Sequence, residues 1–294
     1  MEFSCNLCPR RCGAVRGDLV PGGLCRSPLL PRIARAAPHY GEEPCIAGRN
    51  GTGAVFFTGC NLRCVFCQNR DISRGEGGQG VTVPALRETL LRLRDKNVDS
   101  IDLVTGAHYI PAIAETLRGL ALGIPVVWNS SGYERVESLR LLEGLVQIYM
   151  PDYKYADPAA ARRYSAAADY PETARTAIRE MFRQVGPCEY GENGLLRRGV
   201  LIRHLILPGR LDDARDAIDF AADEFPAGSV LFSLMSQYTP MPGLEHFPEL
   251  QRPVSAEENE SLIHYMKVRG LSGFWQEKDS ATVEQIPAFD LTGL

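Results

Sequence analysis

Several things are missing from this sequence of 294 residues. It has no run of about 20 consecutive apolar residues, the length a helix needs to cross a bilayer, so no membrane span is expected. Its first residues, MEFSCNLCPRRCG, lack the apolar stretch of a secretory leader. It has no surplus of positive charge: 32 Lys and Arg against 36 Asp and Glu leave a net charge of -4, which speaks against a general nucleic-acid binder. It has no internal repeat and no low-complexity tract. What remains is ordinary globular composition, 45% hydrophobic and 23% charged, expected in the cytoplasm.

Cysteine, by contrast, is abundant. Nine are present, too many for chance and too few for a disulfide scaffold. Cys5, Cys8, Cys12 and Cys25 form one tight group and Cys60, Cys64 and Cys67 another, with Cys45 and Cys188 outside both. In a reducing compartment such spacing favours metal over disulfides.

Residues 1–50 are rich in Cys, Pro, Gly and Arg with little periodicity. They read as a loop-rich, metal-binding segment tied down by ligands rather than by a core. From Gly53 onward short apolar runs alternate with amphipathic segments. The runs AVFFTG (54–59), IDLVTG (101–106), IPVVWNS (124–130), VQIYMPD (146–152), VLIRHLILPG (200–209) and VLFSLM (230–235) look like strands buried on both faces, as parallel strands are. Pro84 and Pro111 sit where a first helical turn would begin. Ile113, Leu117 and Leu120 make one helical stripe; Leu211, Ala214, Ile218 and Phe225 make another. Ser255-Ala-Glu-Glu258 is a capping box.

Six β–α alternations imply right-handed crossovers and a parallel sheet. Polar and reactive residues gather at the carboxyl ends of the runs: the cysteine loop, His108-Tyr109, Asn129-Ser130-Ser131, Asp152-Tyr-Lys154 and Gln237-Tyr238. Barrel active sites lie at that end, although open α/β sheets share the tendency. The expected fold is therefore α/β, a partial (β/α)6 TIM-like barrel over 51–240. A Cys-rich N-terminal extension (1–50) precedes it, and a C-terminal extension (241–294) packs on it.

Cys60-Asn-Leu-Arg-Cys64-Val-Phe-Cys67 is the densest chemical signal. Three thiolates so spaced can close around one face of a cubic iron–sulfur cluster. No fourth cysteine follows at a matching spacing. Electron carriers use four thiolates and structural zinc four N/S ligands, so three suggest that something else binds an open iron. A zinc knuckle or chance thiols are the plainer alternatives.

The motif resembles that of the radical S-adenosylmethionine superfamily, carried by Cys60, Cys64 and Cys67 with aromatic Phe66 before the third cysteine. Cys64-Val-Phe-Cys67-Gln-Asn69, Asp152-Tyr-Lys154 and Ile202-Arg203-His-Leu-Ile-Leu-Pro-Gly209 are similar to segments of proteins akin to pyruvate formate-lyase activating enzyme. The opening CNLCPRRCG and the block GEEPCI…FFTGCNLRCVFCQN resemble an uncharacterised activating-enzyme-like branch. The resemblance implies a [4Fe–4S] cluster whose open iron is chelated by S-adenosylmethionine. One-electron reduction then cleaves a C–S bond to a 5′-deoxyadenosyl radical, which abstracts hydrogen from a substrate. It also implies an electron donor such as flavodoxin or ferredoxin. Carried over residue by residue, Cys60, Cys64 and Cys67 ligate the cluster, and Phe66 lies against the adenine. Asn129, Asp152, Lys154 and Arg203 hold the ribose, the methionine carboxylate or their surroundings. Asp152 with Lys154 can equally be a surface ion pair, and Asn129 a helix cap. Arg203 and His204 are neighbours in a strand and point to opposite faces; an Arg inside a barrel needs an anion, so Arg203 is taken as inward and His204 as packed under a helix. Relatives with a Gly-Gly-Glu type motif after the second strand contact the methionine amino group there. Here the position reads Thr105-Gly106-Ala107-His108, so backbone carbonyls or His108 take that place.

The N-terminal thiols Cys5, Cys8, Cys12 and Cys25 can close a zinc site or a second [4Fe–4S] cluster, with Cys45 an alternative fourth ligand. Cys188 reads as a packed structural thiol. Arg10, Arg11 and Arg16 read as a solvated face or a surface for an acidic partner. Three functions compete: activation of a glycyl-radical enzyme, a radical enzyme for a small molecule or peptide, and a non-catalytic iron–sulfur electron carrier or metal-binding protein. The extra cysteines precede the radical motif, whereas activating enzymes place theirs after it, which weakens the first.

Overall fold

All six apolar runs form strands, because parallel strands covered on both faces need no polar side. The computed structural model describes residues 3–276 and 287–294. The runs become β2 (Thr52–Phe57), β3 (Ser100–Val104), β4 (Val126–Ser130), β5 (Ile148–Pro151), β6 (Leu196–Leu205) and β7 (Leu231–Met235). Two further strands extend the sheet, and two-residue strands at Gln79–Gly80 and Glu189–Tyr190 flank it. Arg32–His39 (β1) pairs antiparallel with β2, and Gly273–Trp275 (β8) pairs parallel with β7.

Strand order follows chain order from β1 to β8, and β2 to β8 are all parallel. A doubly wound sheet would reverse direction at a switch point. Winding in one sense rolls the sheet instead, and β8 and β1 are not paired among the described residues. The result is the expected incomplete barrel.

Helices cover the outside. Val83–Arg94 (α1) and Ile110–Leu117 (α2) begin with Pro84 and Pro111 in their first turns. Leu120 falls beyond the end of α2, so its stripe is one residue shorter than the periodicity suggests. Tyr170–Val185 (α3) and Leu211–Glu224 (α4) bury their apolar stripes against the sheet. Ala256–Val268 (α5) starts at the predicted capping box, with Ser255 Oγ accepting from Glu258 N at 3.2 Å and Glu258 Oε2 accepting from Ser255 N at 2.8 Å. Among the described residues no helix is long and apolar enough to cross a membrane.

Two parts of the sequence behave differently from the reading above. Residues 32–39 are not loop-rich cap but an eight-residue strand of the main sheet. Their mixed composition, RIARAAPH, suits an irregular edge strand with a bulge between Ile33 and Arg35. The C-terminal extension does more than pack on the barrel. It supplies β8, and its last residues run beside β1: Leu291 N donates to Ala34 O (3.0 Å) and Thr292 O accepts from Ala36 N (2.9 Å). Phe289 meets Phe56 edge-on at 5.5 Å. Residues 277–286 of that extension lie outside the described residues.

The barrel floor is closed by the turn Pro44–Ala47. Cys45 and Ile46 pack there with Val127, Ile148, Leu201 and Leu231, inward residues of four consecutive strands. Their neighbours Trp128, Tyr149, Ile202 and Phe232 face the helices instead. Cys45 is thus a hydrophobic plug residue, far in environment from the N-terminal thiols, and the idea that it replaces Cys25 is overturned.

Candidate functional site

The chain leaves β2 through Thr58-Gly59 and turns at once into the cysteine loop. Gly59 has φ +86°, and a Cβ there would collide with Ser27 Oγ and lie 2.6 Å from the Cys25 carbonyl. Only glycine lets the N-terminal segment approach this closely. The loop is then pinned from several sides. Asn61 Nδ2 donates to Tyr133 O (2.7 Å) and Val65 N to Tyr164 O (2.9 Å). Arg10 donates to Asn61 O (2.9 Å), Leu62 O (3.2 Å) and Ser165 O (2.7 Å) and lies over the Tyr133 ring.

Cys60, Cys64 and Cys67 line one cavity with about 1410 Å³ of empty space, its mouth included. Burial pushes the Cys60 thiol up to about 12 and also raises Cys67. Phe66 lines the same cavity and is 4% exposed, wedged edge-on against Tyr155, Tyr164 and Tyr238 at 6.0–6.3 Å.

The opposite wall is charged. Asn129, at the end of β4, and Arg203, near the end of β6, line it with Asp152 and Lys154 from the loop after β5. Arg203 donates to Asp152 Oδ1 (2.9 Å), Asn129 Oδ1 (2.6 Å) and Glu42 Oε2 (3.0 Å). Lys154 donates to the other Asp152 oxygen at 2.6 Å. Burial works against every ion here. For Asp152 it is outweighed by Arg203 and Lys154, which hold its carboxyl below the usual carboxylate range. For Lys154 it is outweighed by Asp152 and Cys64, so its pKa ends above normal. Asp152 and Lys154 are therefore an internal pair rather than a surface one, with 14% and 19% of their side chains exposed. Asn129 is a network member rather than a helix cap, and it also donates to Asp102 Oδ2 at 3.1 Å. His204 points the other way, its Nδ1 2.7 Å from the Tyr153 carbonyl.

His108 does not share this cavity. It is buried, its Nε2 sits 2.7 Å from the Thr58 carbonyl, and burial drops its pKa to about 3. Its ring faces the N-terminal cysteines. A contact from His108 to a ligand beside the cysteine loop is thus corrected: the short helical turn Ala107–Tyr109 rotates it to the back of that loop. Thr105, with φ +61°, lines the cavity in its place.

Cys5, Cys8, Cys12 and Cys25 line a second, smaller cavity with Arg16, Asn61 and His108. A Cβ on Gly23 would lie 3.0 Å from Cys12 Sγ and 3.9 Å from Cys25 Sγ, so these two sulfurs flank one backbone position. Burial pushes Cys8 up to about 11 and raises Cys25. Arg16 is not on a solvated face; it is 1% exposed and donates to Ser27 O (2.8 Å), His108 O (3.0 Å) and Cys5 Sγ (3.5 Å). Among the described residues no three His, Cys, Asp or Glu side chains converge as ligands of one metal ion. A zinc–sulfur bond of about 2.3 Å would draw thiolates to within about 4 Å of each other, closer than the corners of a four-iron cube require. Cys188 packs beside the plug, its Sγ 3.7 Å from Val200 O.

Glu42 and Glu43 carry no site signal of their own in the sequence. A carboxylate pair just before a proline looks like an ordinary solvated first turn, and only tertiary closure buries it.

The model of the Radical SAM superfamily matches residues 54–221. An uncharacterised protein of Methanocaldococcus jannaschii is 30% identical over 274 residues, covering 88% of this chain and 73% of that protein. A radical SAM methyltransferase from Sphaerobacter thermophilus superposes with a TM-score of 0.53 at 15% identity, over 79% of this chain and 68% of that one. Streptococcus suis SuiB bound to S-adenosylmethionine gives a TM-score of 0.51 at 13% identity, over 79% of this chain. The match spans about half of SuiB, 52% of its length. At these identities the two structures speak to the fold alone.

Proposed function

Because the chain belongs to the radical S-adenosylmethionine superfamily, and is an enzyme of that class, we propose that Cys60, Cys64 and Cys67 hold its [4Fe–4S] cluster and that the charged wall opposite holds S-adenosylmethionine. The observation that carries this reading is the convergence of three thiols and the Lys154–Asp152–Arg203 network on one cavity. The donor set fits. Three thiols, and no fourth among the described residues, line the cavity of the loop. When bound, the cluster supplies the electron that cleaves the sulfonium and releases a radical able to abstract hydrogen.

The chain's own residues do the rest. Lys154, fixed by Asp152, presents a buried ammonium to a carboxylate, where a charge-assisted bond is strong. Phe66, held by three tyrosines, offers an apolar face to the adenine. Burial keeps the Cys60 thiol protonated near neutrality, so ligation must displace its proton. An electron donor such as flavodoxin or ferredoxin completes the scheme. The hydrogen donor is a small molecule or peptide, or alternatively a glycine of a glycyl-radical enzyme; the charged inner wall favours the former.

The same reading includes a second centre at Cys5, Cys8, Cys12 and Cys25, either a [4Fe–4S] cluster or zinc. Their shared cavity and the guanidinium of Arg16 against Cys5 support it.

The decisive test is anaerobic reconstitution, addition of S-adenosylmethionine and reductant, and detection of 5′-deoxyadenosine. The intact protein is expected to form it and Cys64→Ala to lose it. Product that survives Cys64→Ala would overturn the assignment. Metal analysis of a Cys5→Ser/Cys8→Ser protein decides the second centre: loss of about four irons per chain supports a cluster, and loss of zinc alone removes it.

A further inference from the structure

Behind the cysteine loop lies an imidazole with one nitrogen engaged and the other bare. His108 is 2% exposed. Its Nε2 sits 2.7 Å from the Thr58 carbonyl, which can only accept, so Nε2 carries the hydrogen. Burial, seconded by the Arg16 guanidinium, keeps the ring neutral. A neutral imidazole with its hydrogen on Nε2 has a lone pair on Nδ1, and that Nδ1 is buried without a hydrogen-bond partner among the described residues. The ring is packed in place. It lies 4.2 Å from the Tyr109 ring, and a Cβ on Gly59 would come within 3.0 Å of Nε2.

A buried lone pair backed by an N–H to a carbonyl is how a protein presents a histidine to a metal. The outer hydrogen bond fixes the tautomer and the direction of the ring. The space that His108 lines is the cavity of Cys5, Cys8, Cys12 and Cys25. Those four thiols are not equivalent. Cys5, Cys8 and Cys25 are 5%, 8% and 7% exposed, whereas Cys12 stands open to solvent.

Charge divides the thiols in the same way. Arg16 is buried in the wall of this cavity. Its acceptors among the described residues are the carbonyls of Ser27, Pro28 and His108 together with Cys5 Sγ, none of them a carboxylate. Uncompensated charge in a dry interior is expensive. A zinc ion or an oxidised four-iron core is a dication. Three thiolates leave it with a single negative charge, which Arg16 neutralises; a fourth buried thiolate would leave one charge unpaired. A neutral imidazole adds a donor without adding charge.

Resting on the second centre set out above, we propose that His108 Nδ1 is a ligand of that centre. Its protein ligands are then Cys5, Cys8, Cys25 and His108, with Cys12 outside the set.

Metal analysis of the intact, reconstituted protein first counts what is bound. A second cluster adds about four irons to those of the radical cluster, and a zinc centre adds zinc. Binding of neither sinks the second centre itself, and the ligand assignment with it. The ligand set is read in full-length Cys60→Ala/Cys64→Ala/Cys67→Ala, which leaves the N-terminal centre alone, with histidine carrying heavy nitrogen and no S-adenosylmethionine added. With iron bound, electron–nuclear double resonance of the reduced cluster should show a directly bonded nitrogen whose coupling changes with the isotope. With zinc bound, X-ray absorption should show one nitrogen beside three sulfurs. The labelled wild type carries the same measurement if the triple variant fails to load. In the triple-variant background Cys12→Ser should keep the metal, Cys5→Ser, Cys8→Ser and Cys25→Ser should each lower its content about tenfold, and His108→Ala should abolish the nitrogen signal. A purely structural His108 would leave that signal absent from the start. Four sulfurs and no nitrogen, a histidine coupling that survives His108→Ala, or loss of metal from Cys12→Ser but not from His108→Ala would each overturn the assignment.

Discussion

Replacing Arg203 by methionine keeps most of the side chain's length and removes its charge. In the wild type the guanidinium satisfies Asp152, Glu42 and Asn129 at once, with 13% of its side chain exposed. Deleting one partner of a buried ionic network costs about 3–5 kcal/mol, because the remaining charges are stranded. Three acceptors on one group place this case toward the upper end. In a chain of this size that corresponds to a fall in Tm of about 6–10 °C. The loss must also depend on pH. Wild-type Asp152 titrates below its unfolded value, so its stabilisation is present above the unfolded pKa and lost as acid reaches the folded one. Without Arg203 its carboxyl moves upward and joins Glu42 and Glu43, already raised by burial. Carboxyls raised in the folded state cost stability as the pH climbs from their unfolded values toward their folded ones. The gap between wild type and Arg203→Met should therefore widen from pH 5 to pH 8. Urea unfolding of the metal-free proteins at both values measures it. A gap under about 1 kcal/mol, or one that shrinks as pH rises, would refute the reasoning.

Two other substitutions probe parts of the fold outside the cavity. Glu134 is buried, accepts from Trp128 Nε1 (2.7 Å) and Ser130 Oγ (2.6 Å), and is pushed up to about 7 by burial. Its folded form keeps a proton that the unfolded chain gives up near pH 4.5, so wild-type stability should decline by about 3 kcal/mol between pH 4.5 and 7 from this group alone; Glu134→Gln should flatten that slope in the same unfolding assay. Gly293 has φ +87°, and a Cβ there would run into the Ala36 carbonyl. Gly293→Val should lift the C-terminal residues off β1, lower Tm by several degrees and open the Phe289 region to limited proteolysis.

Burial on both faces writes itself into composition. Each of the six apolar runs is a strand, and Asn129, Asp152, Lys154 and Arg203 come together because each ends or follows one of them. Contacts made across the chain leave no such mark. RIARAAPH carries two arginines and a proline, and nothing in it signals pairing with β2. Glu42 and Glu43 precede Pro44 at a helix start and look solvated, yet the plug turns them inward. His108 follows β3 directly, but the turn at Ala107–Tyr109 sends it behind the cysteine loop. Arg16 was indistinguishable from a surface arginine until Ser27, His108 and Cys5 closed around it.

The margins of the rolled sheet carry a consequence for how the protein behaves in concentrated solution. A strand with a free flank is a template on which another molecule can add its own backbone. Here that flank of β1 is occupied at Arg32–Ile33 by Gln79–Gly80 and at Ala34 and Ala36 by Leu291 and Thr292. The far margin, β8, is only three residues long. Among the described residues neither rim offers a long ladder of vacant amides, so samples prepared at the millimolar strengths that iron spectroscopy demands should resist fibrillar self-association through these borders.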